Sequence, residues 1–260
     1  MKHSVLVAFL AGTLLLLLGS IALASDEKPA ELKKLMQTSE ESAAKRKPAP
    51  GTARARALSN TARTLGFQRG FEWRHKIIMV MAEARAIEFD RIFNFSSLLL
   101  NGWVLPPVIR WAEKAVNVES DDYATSVEAS YRIVSPARIV STPPSWRGYM
   151  QADTGDMKPS PEMVPETSDE RAAWNAAVVE GWSDGVLHAD EVFDMNMAQL
   201  VADYRGILRF KMLADKGYVS IPTLAEGNLG VQAGSNVLNI DQKTFRITVP
   251  AEFRAAEAAP

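Results

Sequence analysis

From Thr167 to Gly217 the chain contains no proline and carries one helical period throughout. Trp174, Val178, Trp182, Gly185, Ala189, Phe193, Met197, Leu200, Tyr204 and Ile207 follow one another at steps of three or four, which sets them along a single helix face. A face that apolar has to be covered, so the stretch predicts one long helix with something packed along it. At 1.5 Å of rise per residue such a helix is on the order of 70 Å long, more than the width of an ordinary small domain. Part of it is therefore expected to project toward a partner. Both ends are marked. Thr167 and Glu170 form a T-x-x-E capping box, Asp169 and Glu170 suit the positive end of the helix dipole, and Pro165 precedes them. Arg209, Lys211 and Lys216 suit the negative end, and Gly217 can take the left-handed conformation of a helix stop.

A second helical period occupies Thr52–Phe93, where Leu58, Ala62, Gly66, Gly70, Trp73, Ile77, Val80, Ala84 and Ile87 recur at the same spacing. Its first half is small-faced. Gly66 and Gly70 here, and Gly181 and Gly185 in the later helix, each form a G-x-x-x-G pair that costs stability in an isolated helix. Close backbone packing would compensate for that cost. Two readings stay open: the pairs face one another, or each is a tolerated glycine in a long helix.

The remaining segments read as connections and strands. Phe93–Trp111 is rich in aromatics and leucines and holds Pro106-Pro107, which no helix crosses, with Asn101-Gly102 as a second turn signal. Its apolar side chains are expected to fill a core rather than form a patch for another protein. Between Thr125 and Thr142 the period changes to two, through Val127, Ala129, Tyr131 and Ile133, with Ser135-Pro136 as an interruption before Arg138-Ile139-Val140. A pair of antiparallel strands is predicted there. Gln151–Pro165 is polar and aperiodic, a loop into the long helix. Past Gly217, Tyr218–Pro222 is extended and Glu226-Gly227-Asn228 is turn-like. Asn236–Ile240 and Thr244–Val249 flank Asp241-Gln242-Lys243 as a hairpin, with Phe245, Ile247 and Val249 on one face. The fold class expected is α+β, mainly α: two long helices with small antiparallel β hairpins packed around them.

Among 260 residues 47% are hydrophobic, enough for a substantial core, and the formal net charge of −2 gives no electrostatic footprint for direct nucleic-acid binding. There is no cysteine, which removes disulfides, thiolate metal sites, cysteine nucleophiles and thioether lipid attachment. Residues 1–24 have the form of a signal peptide: Lys2, an apolar run from Val5 to Leu18, and Ala22-Leu23-Ala24 before Ser25. Cleavage between Ala24 and Ser25 is expected, with an uncleaved membrane anchor as the alternative. Residues 25–51 are rich in Lys, Glu, Ala, Ser and Pro and read as a flexible tether, in which Lys45-Arg46-Lys47 is a solvated cluster. Residues 52–250 form a single domain, and 251–260 an alanine-rich tail that frays.

No G-x-S-x-G, G-x-x-x-x-G-K-[ST], H-E-x-x-H or G-x-G-x-x-G occurs. His75 and His188 sit on the two helices without companions at metal-ligand spacing. Asp121-Asp122 and Asp153-Thr154-Gly155-Asp156 lack the ligand spacing and terminal glutamate of a calcium loop. No catalytic residue, metal site or cofactor is therefore expected.

Several short words along the chain, in order, resemble the DotC family, called TraI on IncI-type conjugative plasmids. They are Thr61-Ala62 with Gly66 and Gly70, Phe93-Asn94-Phe95, Val104-Leu105-Pro106-Pro107-Val108, Tyr131-Arg132-Ile133-Val134 and Ala137-Arg138. They continue through Pro143-Pro144-Ser145-Trp146-Arg147-Gly148-Tyr149, Trp174, Glu180-Gly181-Trp182 with Gly185, and Asp203-Tyr204-Arg205-Gly206. The resemblance spans Ala55–Val249. It implies a non-catalytic subunit of the outer-membrane core complex of a type IVB (Dot/Icm-like) secretion or conjugation apparatus, in the periplasm. That subunit would assemble with a DotD-like lipoprotein and a DotH-like subunit in a large ring. It also implies a lipoprotein, but Ser25 stands where the acylated cysteine would be, and a hydroxyl forms no thioether. The outer membrane is then reached through partners or an uncleaved N-terminal segment, and palmitate should not label this chain. Gly66, Gly70, Trp73, Trp174, Gly181, Trp182, Gly185 and Tyr204 are the residues expected to serve helix packing or assembly. The competing readings are a periplasmic enzyme without a familiar motif, and a module that holds a small ligand or lipid between the two helices.

Overall fold

The computed structural model describes residues 29–42, 52–120, 123–152, 163–233 and 236–254. The signal segment with Ala24 and Ser25, the Lys45-Arg46-Lys47 cluster, Asp121-Asp122, Asp153-Thr154-Gly155-Asp156 and the last six residues lie outside them. In chain order the elements are α1 (Ala30–Ser42), α2 (Thr52–Glu83), α3 (Ala86–Ile92), β1 (Val104–Leu105), β2 (Val108–Ser120), β3 (Tyr123–Ser135), β4 (Arg138–Ile139), α4 (Trp146–Met150), α5 (Ser168–Asp215), β5 (Thr223–Ala233) and β6 (Leu238–Val249), with a 3₁₀ turn at Phe95–Leu98. The fold is α+β and mainly α, and the sheets among the described residues are antiparallel pairs: β1 with β4, β2 with β3, and β5 with β6. The described residues group into two compact units, one within 1–92 and 150–197, the other within 93–149 and 198–260.

Both ends of α5 follow from local chemistry. The Thr167 hydroxyl accepts from the Glu170 N–H at 3.2 Å, and the Glu170 carboxylate reaches back to the Glu166 N–H at 2.8 Å, so first-turn amides are satisfied by side chains. At the far end Tyr218 N–H bonds the Leu213 carbonyl and Gly217 N–H the Ala214 carbonyl, each at 2.9 Å, with Gly217 at φ +76°. This is a Schellman stop, and it needs the left-handed residue that glycine supplies.

In the first unit α2 and α5 lie side by side and run parallel: Arg54 meets Glu170, Arg63 meets Glu180 and Arg74 meets Asp190. Leu58, Ala62, Leu65, Trp174, Ala177, Val178 and Trp182 form the core, together with Leu32 of α1. That helix lies within the segment read from sequence as a tether. The charge-rich average of residues 25–51 hides Leu32, Leu35 and Met36, whose i, i+3, i+4 spacing makes an apolar stripe, and the latter two pack on the same core.

The helix expected over Thr52–Phe93 is two helices, interrupted at residues 84 and 85; no glycine or proline marks the break. Its buried stripe also differs from expectation. The row that is buried runs Leu58, Ala62, Gly66, Gly70, Arg74, Ile78, Ala82, all at steps of four. Each such step advances about 40° around a 3.6-residue helix, so the row winds roughly 240° over its length. A stripe held on one fixed side leaves that row, and Val80 and Ile87 accordingly stand 65% and 85% exposed.

The second unit is organised around Ala198–Asp215 of α5 and the two longer hairpins. Val104 and Leu105 pair with Ile139 and Arg138, while Val108 begins the ladder to Ser135 and beyond. The gap falls at Pro106-Pro107 on one side and Pro136-Ala137 on the other, where prolines supply no N–H to the ladder. The predicted pairing of Thr125–Ser135 with Arg138–Thr142 is thereby corrected: β3 pairs with β2 and β4 with β1. The C-terminal hairpin is also displaced. Glu226-Gly227-Asn228 and Asp241-Gln242-Lys243 lie inside strands, not in turns. Gly230 at φ +64° and Asp241 at φ +55° sit where the register shifts, so residues typical of turns here make bulges. Ile109, Phe210, Leu213, Val219 and Ala251 form this unit's core.

Candidate functional site

The four glycines meet at one contact. A Cβ on Gly66 would run into the Val178 carbonyl oxygen and lie 3.0 Å from the Trp182 nitrogen, and one on Gly70 would run into the Trp182 carbonyl. Reciprocally, a Cβ on Gly181 would strike the Arg63 carbonyl, and one on Gly185 the Phe67 carbonyl, 2.9 Å from the Phe71 nitrogen. Each helix therefore presents two glycines four residues apart to two carbonyls four residues apart on the other. Only hydrogen in place of Cβ permits this approach, and the Cα–H groups aimed at carbonyl oxygens add weak bonds of their own.

Side chains close the seam on both sides. Trp182 is buried with its ring 5.6 Å from that of half-buried Trp73, and Trp174 is buried a turn or two earlier in the same core. His188 lies between Phe67 and Phe71, at 5.4 and 5.8 Å between ring centroids, and His75 stacks on Phe71 at 6.0 Å. Burial lowers the His75 pKa, which favours the neutral ring against an aromatic face. Arg74, only 5% exposed, donates from Nε to Asp190 Oδ1 at 2.8 Å. It occupies the next place after Gly70 in the four-residue row, and a search for apolar periodicity passes over it. Arg54 binds Glu170 at 3.1 Å and Glu166 at 3.4 Å where the two helices begin. Burial alone would raise the Glu170 pKa, but the Glu166 and Thr167 N–H groups and Arg54 outweigh it and hold the carboxyl low.

A second constellation lies in the other unit. Tyr204 stands edge-on to Phe93 and Phe95, at 5.6 and 5.2 Å, and Phe95 stacks on Tyr149 at 6.1 Å. Beside them Asp203 accepts from Arg110 and Gln199 on one carboxylate oxygen, both at 2.9 Å, and from the Tyr149 hydroxyl on the other at 3.1 Å. Burial first, and then the Asp203 charge and hydrogen bond, raise the Tyr149 pKa well above the ordinary phenol range. Gly206 is close-packed against Val108 and Ile109. Residues far apart in sequence, from the Phe93-Asn94-Phe95, Gly148-Tyr149 and Asp203–Gly206 words, thus converge on one network. Tyr204 is the one member expected from sequence to serve packing; Phe93, Phe95, Tyr149 and Asp203 stand only in the family-like words, and Arg110 and Gln199 in neither.

Among the described residues no group of three or more His, Asp or Glu side chains is placed to hold a metal ion, and no helix is long and apolar enough to cross a membrane. The chemistry of both constellations is that of packing: glycines against carbonyls, rings against rings, and buried charges each with a partner. No curated protein matches the chain. The family model described as type IV secretory system, conjugal DNA-protein transfer, matches residues 52–259 and so runs through both units. The chain belongs to this type IV secretory family and is a component of a conjugal-transfer type secretion machinery.

Proposed function

We propose that the protein is a non-catalytic structural subunit of the outer-membrane core complex of a type IVB secretion or conjugation apparatus. In this reading it is exported to the periplasm, assembles there with a DotD-like lipoprotein and a DotH-like subunit, and is held at the outer membrane through them. The observation that carries the reading is the family match over residues 52–259. It is supported by where the family-like words fall: Gly66, Gly70, Gly181, Gly185, Trp182, Tyr204 and Asp203 are all engaged in packing or in satisfied ion pairs. Such residues set the shape a subunit presents to its neighbours, and shape is what an assembly requires of it. Purification of the tagged chain from solubilised envelopes of cells making the whole apparatus tests this. Both partner chains are expected to elute with it in one large assembly; a lone monomer would overturn the proposal.

A further inference from the structure

The second unit holds a cleft of about 430 Å³ where α5 stops. Tyr131 of β3, Met212 of α5, Tyr218 and Phe253 line it, with buried Leu213 among them. Met212, Tyr218 and Phe253 are 43–44% exposed, so large apolar side chains face a space that opens to solvent. Trp111, 46% exposed, stands directly across the ladder from Tyr131 and therefore on the same sheet face, which carries the aromatic surface past the cleft. The backbone around the cleft is fixed. The stop at Gly217 turns the chain out of α5, the Arg254 N–H bonds the Tyr218 carbonyl at 2.9 Å, and the Ser220 N–H bonds the Glu252 carbonyl at 2.8 Å. Two cations, Lys216 and Arg254, complete the lining, and none of the described lining residues is acidic. Elsewhere Arg54, Arg63, Arg74 and Arg110 each reach a carboxylate, whereas neither cation of the cleft has one among the described residues.

We propose that this cleft docks a segment of another protein of the apparatus in which a large apolar side chain stands next to an aspartate or glutamate. The lining specifies both halves. The tyrosines, Phe253 and Met212 cover the apolar side chain, and Lys216 and Arg254 bind the carboxylate. Tyrosine, phenylalanine, methionine and arginine are also the residues enriched where proteins meet. The last carbonyls of α5 repel an anion, so the carboxylate is held by the two side chains and not by the helix end. A small-molecule site encloses most of its ligand; a cleft open on one side suits a side chain offered by a chain that passes over it. Residues 255–260 of this chain do not meet the description, since Glu257 is their sole charge and none of their side chains is large and apolar. Because the surrounding backbone is already fixed, docking orders little of this chain. The inference rests on the multi-subunit reading above and adds to it a surface and the chemistry that the surface receives.

The test places the photoreactive residue p-benzoylphenylalanine at position 218, in place of Tyr218, in the tagged full-length chain made together with the complete apparatus. After irradiation the linked peptide is sequenced by mass spectrometry. It is expected to come from another protein and to carry an aspartate or glutamate beside a large apolar residue. Arg254→Glu should cut the product about tenfold or more, as loss of a hydrogen bond to a charged group does, with the melting temperature of the purified chain unchanged; Arg254→Lys should keep it. Replacing the mapped acidic residue by lysine should restore linkage to the Arg254→Glu chain. Undiminished linkage with Lys216→Glu and Arg254→Glu together would overturn the docking, as would a mapped peptide without an acidic residue. Linkage solely to residues 255–260, to a second copy of the chain or to lipid, or no product from chains that elute in the large assembly, would overturn it too. A chain that elutes alone would instead sink the structural-subunit reading and the docking with it.

Discussion

The seam between α2 and α5 and the distal β5–β6 arm are opposite solutions to the same problem of covering the chain. At the seam, backbone lies against backbone with no room for one methyl group at Gly66, Gly70, Gly181 or Gly185. In the arm, Val231, Leu238 and Ile240 stand more than half exposed. The difference teaches where tight packing is spent: the seam fixes the path of two helices, while the arm keeps apolar side chains in the open. Substitution should therefore be felt in folding at the seam and should leave folding nearly unchanged in the arm.

The largest effect is expected at the seam. Gly181→Leu forces the helices apart at the Arg63 carbonyl and should cost about 3 kcal/mol or more of unfolding free energy; a urea midpoint within error of wild type would break the contrast. Asp190→Ala comes next. It strands the Arg74 guanidinium, whose side chain is 6% exposed while that of Asp190 is 40% exposed, and a loss of about 1–3 kcal/mol in the same measurement is expected. The helix start gives a smaller, pH-dependent effect. Glu170 titrates below its ordinary value of 4.5 in the folded chain, so the stability it contributes is present above that pH and is lost as pH falls through the folded value. Thermal melts from pH 6 to 3 should show Glu170→Gln with a shallower decline than wild type. Least of all should be seen in the arm, where Ile240→Thr is expected to stay within about 0.5 kcal/mol of wild type in urea; a larger loss would mean the arm is already covered within the chain.

Legibility followed the same division. The whole of α5 could be read because Thr167, Glu170 and Gly217 act on their immediate neighbours, and because Trp174 through Ile207 keep one side of one helix. The second half of α2 could not, since its contact row is set by glycine packing at steps of four and carries the charged Arg74, neither of which an apolar stripe describes. Within residues 25–51 three apolar side chains, Leu32, Leu35 and Met36, outweigh a charged average by docking on a core made by other segments. β2 was missed because Glu113–Ser120 shows neither period, and its strand state comes from pairing with β3. In the last hairpin Gly227, Asn228 and Asp241 are turn formers used inside strands. The glycine pairs were visible as candidates, but whether they faced each other depended on the parallel alignment of two helices more than a hundred residues apart. The meeting of Asp203 with Tyr149 and Arg110, 54 and 93 positions away, follows from no periodicity in the sequence.

The central claim is that this chain contributes shape to a machine, through a seam that admits no side chain at its glycines. Gly185→Leu tests it most directly when assembly and transfer are followed together in cells carrying the complete apparatus. A Cβ at this position already meets the Phe67 carbonyl, so recovery of the chain in the large assembly and transfer through the apparatus are predicted to fall together. Assembly and transfer both at wild-type levels would contradict the account.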